Sequence, residues 1–375
     1  MTQMFSEPND PRIYVDPAIF EQERSTLFRR QWIFAGLANE IAAHNDFVRV
    51  PLVGHDIVVQ NFHGELRAFI NSCSHRHSVI QTAAAGNRPL ICPYHGWAYD
   101  KRGAPMGIPC RTEFPQVSAD PMLFGLQRVD LELVGHFMFV RLDTGDLGLP
   151  SLPEFLGEAF DFLARVSAAM HTPLDDYSAT VNANWKILIE NSLEGYHVPH
   201  VHNASLAAID QLSPELGDVV DFFPPSGHSY MENAASPKWL RRWSNYGKDV
   251  GTWPTTLPHY VHRLLFPMLT ITSFLGYSFH IQRFHPDSVD ATTVHSRIYA
   301  STFTGQTERG ARIIEAIFRE NVHFTHKVFE EDRMASERAH AGTRQATRPS
   351  VLAANIEARL TDFRATYRRA MVVSA

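Results

Sequence analysis

Two short stretches, Cys73-Ser74-His75-Arg76 and Cys92-Pro93-Tyr94-His95-Gly96-Trp97, decide the fold. Each carries one thiol and one imidazole, and 16 residues lie between His75 and Cys92. Two thiolates and two imidazoles can hold a [2Fe–2S] cluster in which two histidines replace two cysteines on one iron. A structural zinc site also uses two Cys and two His, but its typical spacing pairs Cys with Cys and His with His. The mixed loops therefore favour the iron–sulfur cluster over zinc.

The composition is that of a large globular protein. The chain has 375 residues, which at about 150 residues per domain predicts two or three domains. Three cysteines are too few for a disulfide framework in a core of this size. Lys and Arg number 34 against 40 Asp and Glu, for a net charge of −6 without a basic block. This balance argues against nucleic acid or an anionic membrane as a partner.

Neither a leader nor a membrane span is expected. The first residues lack a basic start followed by an apolar run, so they do not form a signal peptide. Residues 264–282 carry no formal charge, but Pro267 and several Ser and Thr residues make this stretch too polar to span a bilayer. The sequence therefore predicts a cytoplasmic protein.

A second group of potential metal ligands lies between Glu190 and His202, with three histidines at 197, 200 and 202. A mononuclear iron that activates O₂ takes two imidazoles and one carboxylate and keeps other positions open. No pair of these histidines has i, i+4 spacing, and Pro199 interrupts a helix after His197. The second imidazole must therefore come from the following turn. The candidates for a distant carboxylate are Glu320, Glu330, Glu331, Asp332 and Glu337.

The pattern of predicted secondary structure divides the chain into three parts. Residues 1–40 have helical spacing, residues 41–150 read as short strands and turns, and residues 151–375 mix helices with strands. A hairpin is expected around His63-Gly64-Glu65. We expect residues 41–150 to hold the cluster, and residues 1–40 and 151–375 to form the catalytic part.

Several motifs occur together in one order along the chain. They are Phe28-Arg-Arg-Gln-Trp32, Ala68-Phe-Ile-Asn-Ser-Cys-Ser-His-Arg76, Cys92-Pro-Tyr-His-Gly-Trp-Ala-Tyr99, Asn184-Trp-Lys186, Glu190-Asn191, Tyr196-His197, His202 and Glu331-Asp332-Arg333. In this combination the chain resembles the α subunit of the Rieske non-heme iron ring-hydroxylating oxygenases, over nearly its whole length. The resemblance implies an α+β protein, with an antiparallel Rieske [2Fe–2S] β domain inserted in a helix-grip catalytic domain that binds mononuclear iron.

The resemblance also implies the site residues. The cluster ligands would be Cys73, His75, Cys92 and His95, and the iron ligands would be His197, His202 and Asp332. Glu194 matches the carboxylate that bridges a cluster imidazole and an iron imidazole, and Asn191 matches a polar residue near the iron. His77 replaces the usual glycine of the first loop, which should alter the loop without removing a ligand.

By the same resemblance, the chain would be a terminal oxygenase that adds one or both atoms of O₂ to a small substrate. No Gly-x-Gly-x-x-Gly loop is present, so a separate reductase, with or without a ferredoxin, would oxidise NAD(P)H. A homotrimer is implied, with or without a β subunit, in which each cluster serves the iron of a neighbouring chain.

The sequence leaves the substrate open. Phe content and the alternation of Tyr277, Phe279 and Ile281 favour an aromatic compound. The alternative is a Rieske monooxygenase or N-demethylase of a quaternary ammonium or N-methyl compound. It is suggested by Glu194 and by four aromatic residues that could form a cation–π cage, Trp239, Trp243, Tyr246 and Trp253, although core packing explains these rings better. A Rieske electron carrier without oxygenase activity would need only the first metal motif and is the remote alternative.

Overall fold

The computed structural model describes residues 9–145, 148–170, 172–206, 219–223, 226–252 and 260–372. The chain divides into two units. Residues 24–155 form the first, called here the insert unit, and residues 1–23 and 156–375 form the second, called the outer unit. Because the insert unit interrupts the outer unit along the chain, the arrangement is that of an inserted domain.

The described elements are sixteen strands and eleven α-helices. The strands are β1 Ile33–Leu37, β2 Asp46–Leu52, β3 His55–Phe62, β4 Glu65–Ile70, β5 Ala85–Asn87, β6 Ala98–Tyr99, β7 Pro105–Gly107, β8 Arg128–Val134, β9 Phe137–Arg141, β10 Thr172–Val181, β11 Val219–Phe223, β12 His228–Asn233, β13 Tyr260–Leu265, β14 Leu269–Phe274, β15 Ser278–Ser288 and β16 Ala291–Ala300. The helices are α1 Arg12–Val15, α2 Pro17–Ser25, α3 Leu27–Arg30, α4 Pro115–Ala119, α5 Leu152–Leu156, α6 Ala159–Ala169, α7 Trp185–Ser192, α8 Val198–Val201, α9 Pro237–Val250, α10 Glu308–Thr343 and α11 Ala358–Met371.

The insert unit is built on a seven-stranded antiparallel sheet, ordered β1-β9-β8-β4-β3-β2-β5, with β6 and β7 as a separate hairpin. The turn between β3 and β4 has positive φ angles at His63 (55°) and Gly64 (92°). Two positive φ angles in a two-residue loop define a turn whose twist matches that of the flanking strands. The hairpin predicted at this position is confirmed.

The outer unit is built on a second seven-stranded antiparallel sheet, ordered β10-β16-β15-β14-β13-β12-β11, and on the 36-residue helix α10. Side chains alternate between the faces of a strand, so Ser278, His280 and Gln282 share one face of β15. Ser278 Oγ lies 3.5 Å from Asn321 Oδ1 of α10, which identifies this face as the one that α10 covers. The expected combination of an antiparallel sheet and a long covering helix is confirmed.

Phe279 and Ile281 lie on the opposite face of β15, so these two side chains do not line the side of the sheet that α10 covers. Ile281 pairs with Ile271, which pairs in turn with Arg263. The Arg263 guanidinium carbon lies 4.3 Å from the centroid of the Phe162 ring of α6. This face of the sheet therefore packs against α6, away from α10. The aromatic substrate stays a prediction.

The aromatic residues considered for binding a quaternary ammonium group pack into the core, in so far as the structure describes them. Trp243 stacks on Tyr277 with ring centroids 5.9 Å apart and planes at 16°. Tyr246 packs against the same cluster, which includes Phe303 and Phe318. Trp253 and the side chain of Trp239 lie outside the described part of the chain. The described rings contact one another, as core packing requires.

The helix α7 is fixed by two buried carboxylates. Glu23 of α2 is fully buried and accepts hydrogen bonds from Lys186 Nζ (2.5 Å), Tyr367 OH (2.5 Å) and Trp185 Nε1 (2.9 Å). Four residues further along α7, Glu190 accepts from Tyr14 OH at 2.7 Å. Arg364 of α11 donates Nε and Nη2 to the same carboxylate, at 3.0 and 2.8 Å. Helices from both ends of the chain therefore hold α7 in place.

Candidate metal centres

The histidines of the second motif flank the short helix α8. Asn184 caps α7 by accepting a hydrogen bond from the Lys186 amide (3.1 Å), and α7 ends at Ser192. His197 directly precedes α8 and His202 directly follows it. Pro199 is tolerated in the first turn of α8 because its missing N–H would have no helical partner there. The predicted break after His197 therefore lets both imidazoles turn toward one point.

These two imidazoles meet the Asp332 carboxylate of α10. The Nε2 atoms of His197 and His202 are 3.2 Å apart, and Asp332 Oδ1 lies 3.5 and 2.9 Å from them, respectively. Among the described residues, this is the one group of three His, Cys, Asp or Glu side chains with ligand atoms all within 4.8 Å of one another. Two imidazoles and one carboxylate are a ligand set suited to a non-heme iron with open positions.

The second nitrogen of each histidine contacts another carboxylate. His197 Nδ1 lies 2.5 Å from Glu194 Oε1, and Glu194 Oε2 accepts hydrogen bonds from the Tyr196 and His197 amides. His202 Nδ1 lies 2.7 Å from Glu331 Oε2. Both rings thus turn Nε2 toward Asp332 and Nδ1 toward a glutamate, a common arrangement for metal-binding histidines.

The neighbouring carboxylates raise the pKa of both imidazoles. Burial lowers the pKa of His197, but hydrogen bonds with Asp332 and Glu194 outweigh it and raise the pKa to about 9. The pKa of His202 is raised in the same way, because Asp332 and Glu331 outweigh the effect of burial. Below the pKa of about 9, a metal that binds His197 must displace a proton from the ring.

The structure separates the sequence candidates. Asn191 Nδ2 donates to Asp332 Oδ1 at 2.7 Å, so Asn191, predicted near the iron, holds the Asp332 carboxylate. Glu330 and Glu337 bond to Arg333 instead, while Glu320 and His200 are exposed. Sequence reasoning missed the contact of Glu331 with His202. Its only signal was adjacency to Asp332.

The two loops of the insert unit bring the first motif together. The thiols of Cys73 and Cys92 are buried in one apolar cluster, and the ring centroids of His75 and His95 lie 4.5 Å apart. The Nδ1 atoms of both rings are buried without a hydrogen-bond partner in the described part of the chain. A buried polar atom without a partner costs about 1–3 kcal/mol, so these atoms are suited to a ligand. Two thiols and two unpaired Nδ1 atoms fit a [2Fe–2S] cluster.

A single zinc ion fits these donors less well. Four ligands of one tetrahedral ion would lie within about 4 Å of one another. No three of the four, all of them described residues, form a group within 4.8 Å. A two-iron cluster, which takes two protein ligands on each iron, does not require such a group.

Both loops close in the same way. The His77 amide donates to Cys73 O (2.7 Å), and the Gly96 amide donates to Cys92 O (3.0 Å). His77 and Gly96 also share a left-handed conformation, with φ of 56° and 73°. His77 therefore adopts the left-handed conformation that glycine favours, and its amide closes the loop as the Gly96 amide does. That His77 alters the loop in another way stays a prediction.

Tyr99 adds a hydroxyl to this site. Its OH lies 3.0 Å from both Cys73 Sγ and Ser74 Oγ and accepts from the Ser74 amide at 3.1 Å. Ser74 can donate to the tyrosine oxygen, which leaves the tyrosine proton for the sulfur. Hydrogen bonds to the sulfurs set the reduction potential of iron–sulfur clusters.

The two candidate sites suit two separate iron centres, and comparison with known proteins identifies the family. Residues 31–119 match the family described as "Rieske [2Fe-2S] domain", and residues 168–372 match "Ring hydroxylating alpha subunit (catalytic domain)". The chain belongs to the family of Rieske ring-hydroxylating oxygenase α subunits. The expected cofactors, a Rieske cluster and a mononuclear iron, are those of its two domains.

Three relatives of this chain are named as dioxygenase or monooxygenase subunits. The chain is 33% identical over 219 residues to the anthranilate 1,2-dioxygenase large subunit of Acinetobacter baylyi, covering 56% of this chain and 46% of the relative. It is 33% identical over 193 residues to the glycine betaine monooxygenase oxygenase subunit of Chromohalobacter salexigens, covering 50% and 42%. It is 28% identical over 334 residues to toluate 1,2-dioxygenase subunit alpha of Pseudomonas putida, covering 80% and 71%. The first two matches thus span less than half of the relatives' length.

Solved structures share the fold. The quaternary ammonium Rieske monooxygenase CntA in complex with L-carnitine matches with a TM-score of 0.77 at 17% identity, covering 99% of this chain and 97% of that one. Naphthalene 1,2-dioxygenase with indole bound matches with a TM-score of 0.77 at 19% identity, covering 99% and 93%.

In the described ranges, no helix has the length and apolar character needed to cross a membrane.

Proposed function

We propose that this chain is the terminal oxygenase of a multicomponent system and hydroxylates a small organic substrate with O₂. The observation that carries the proposal is the convergence of His197 Nε2, His202 Nε2 and Asp332 Oδ1 within 4.8 Å, which a Rieske electron carrier would not need. When bound, the two iron centres supply electron transfer and reductive activation of O₂. The protein holds these centres, orients their ligands and keeps a position open for substrate.

We assign Cys73, His75, Cys92 and His95 to the cluster and His197, His202 and Asp332 to the mononuclear iron. The buried, unpaired Nδ1 atoms of His75 and His95 support the first set, and the interatomic distances around Asp332 support the second. The test uses ¹⁸O₂, a surrogate reductase and NADH. The wild type should place ¹⁸O in product, while Asp332→Ala should lose iron and product but keep a reducible cluster. Product oxygen that comes from water would overturn the oxygenase assignment.

Electrons would come from NAD(P)H through a separate reductase, with or without a ferredoxin, and we place the protein in the cytoplasm, where NAD(P)H is available. Glu194 would carry the contact between the iron site and a cluster. Glu194 Oε1 lies 2.5 Å from His197 Nδ1, which supports a role beside the iron ligand. Glu194→Gln should keep both metals and slow electron delivery, because an amide cannot accept from an imidazole at each end. Unchanged single-turnover kinetics from a reduced cluster would argue against this role.

We propose that the working assembly is a head-to-tail homotrimer, a closed ring in which the cluster of one chain serves the iron of the next. A hybrid experiment tests this directly. Cys92→Ser chains have no cluster and Asp332→Ala chains have no iron, so each parent should be inactive. Hybrids of the two should regain part of the activity through neighbouring sites. Inactive hybrids with both metals present would contradict the trimer mechanism.

We propose an aromatic substrate that carries a polar group, such as an aryl carboxylate. The similarity to anthranilate and toluate dioxygenases supports an aromatic acid. His280 and Thr272, paired across β15 and β14, place polar side chains on the face that α10 covers, where His280 Nε2 lies 2.7 Å from Ser296 Oγ. A panel of arenes, aryl carboxylates and betaines, with products identified, tests this choice. Turnover of a betaine alone would instead favour the alternative, which the similarity to glycine betaine monooxygenase supports.

A further inference from the structure

Glu331 contacts His202 on the side away from Asp332. Glu331 Oε2 lies 2.7 Å from His202 Nδ1, whereas Asp332 Oδ1 lies 2.9 Å from His202 Nε2. Two consecutive carboxylates of α10 therefore contact the two nitrogens of one imidazole. His202 is fully buried, so water does not replace either contact.

Glu331 is itself held in place. Ser205 Oγ donates to Glu331 Oε2, the oxygen that faces His202. One turn earlier on α10, Lys327 Nζ donates to Ala204 O at 2.9 Å. The turn that follows His202 is therefore tied to α10 at two adjacent points. The Glu331 side chain is 17% exposed, against 55% for that of Glu330.

Glu331 cannot share one metal ion with His202 Nε2. The two nitrogens of an imidazole point to opposite sides of the ring, and Glu331 lies on the Nδ1 side. The His197 and His202 atoms that face Asp332 are both Nε2. As an acceptor at Nδ1, a carboxylate keeps the proton on that nitrogen and leaves Nε2 free to bind a metal.

We propose that Glu331 is a positioning residue of the iron site, which holds His202 in the tautomer and orientation that present Nε2 to iron. This inference rests on the proposed assignment of His197, His202 and Asp332 as ligands. Glu194 holds the ring of His197 from its own loop, whereas Glu331 holds His202 from α10, the helix that also supplies Asp332. One helix thus sets both the carboxylate ligand and the orientation of an imidazole ligand.

Iron affinity tests the proposal without turnover. Cluster-containing protein is depleted of mononuclear iron, and Fe(II) binding is measured anaerobically in competition with a chromophoric chelator. Glu331→Ala should weaken binding about 10- to 100-fold, the usual effect of losing such a partner. Glu331→Gln should weaken it less, because the amide oxygen still accepts from Nδ1–H but lacks the charge. Glu330→Gln, one residue earlier and bonded to Arg333, is the matched control and should bind Fe(II) as the wild type does.

The outcomes separate this inference from the ligand assignment. The visible spectrum of the cluster reports folding, and the near-isosteric Glu331→Gln provides the test if Glu331→Ala does not fold. Wild-type Fe(II) affinity in both Glu331 variants, with iron lost from Asp332→Ala, would overturn the positioning role and leave the ligand assignment intact. Iron retained by Asp332→Ala but absent from Glu331→Ala would overturn the ligand assignment itself. An equal loss of affinity in Glu330→Gln would show a general effect of charge and would also overturn the proposal.

Discussion

Replacing Lys186 by Met removes the cation from the buried pair that fixes α7. Lys186 and Glu23 are 1% and 0% exposed, and Nζ lies 2.5 Å from Oε1. Removing one partner of such a pair leaves an uncompensated buried charge and costs about 3–5 kcal/mol. Glu23 would keep two neutral donors, Trp185 Nε1 and Tyr367 OH, which places the expected loss near the lower end, about 3 kcal/mol.

Urea unfolding followed by far-UV circular dichroism measures the loss, with the midpoint shift converted through the slope m. The double variant Glu23→Gln/Lys186→Met should recover most of the stability, because neither position then carries an unpaired buried charge. Lys101→Met is the matched control. Its ion pair with Glu65 is exposed on both sides, so the midpoint should not move. A Lys186→Met midpoint equal to that of the control would refute the reasoning.

Three further predictions concern the metal sites. Tyr99→Phe removes the hydroxyl 3.0 Å from Cys73 Sγ and should lower the midpoint potential of the cluster in a redox titration, and an unchanged potential would contradict the hydrogen bond. In iron-depleted protein the pKa of His197 is about 9, above its ordinary value of 6.5. The stabilisation that protonated His197 gains from Asp332 and Glu194 is therefore complete below pH 6.5 and is lost as pH rises through 9. Fe(II) must displace this proton, so apparent affinity should rise from pH 6.5 to 9, and a flat pH profile would show that no proton is released. His77 has a left-handed φ of 56°, which strains a residue with a side chain and which glycine adopts freely. His77→Gly should therefore raise the temperature at which the cluster bleaches, and His77→Val should lower it. The opposite order would show that the backbone at this position is not strained.

The candidate metal ligands that lie close together in the chain could be grouped from the sequence. Cys73 with His75 and Cys92 with His95 are separated by one and two residues, so each loop brings its own pair together whatever surrounds it. Pro199 likewise predicted that the helix is interrupted after His197, because proline restricts the backbone locally. These features depend on local covalent geometry, which a sequence carries directly.

Only the tertiary structure separated the candidate carboxylates and the faces of the sheet. Glu330, Glu331 and Asp332 are consecutive, and the rotation of α10 against α7 and α8 decides that Asp332 faces the Nε2 atoms while Glu331 faces His202 Nδ1. Phe279 and His280 alternate in sequence whichever way the strand turns, and packing against α6 and α10 decides which of them faces the helix. Burial of apolar surface decides how a helix is rotated and which face of a strand points inward. Both therefore depend on contacts between residues far apart in the chain.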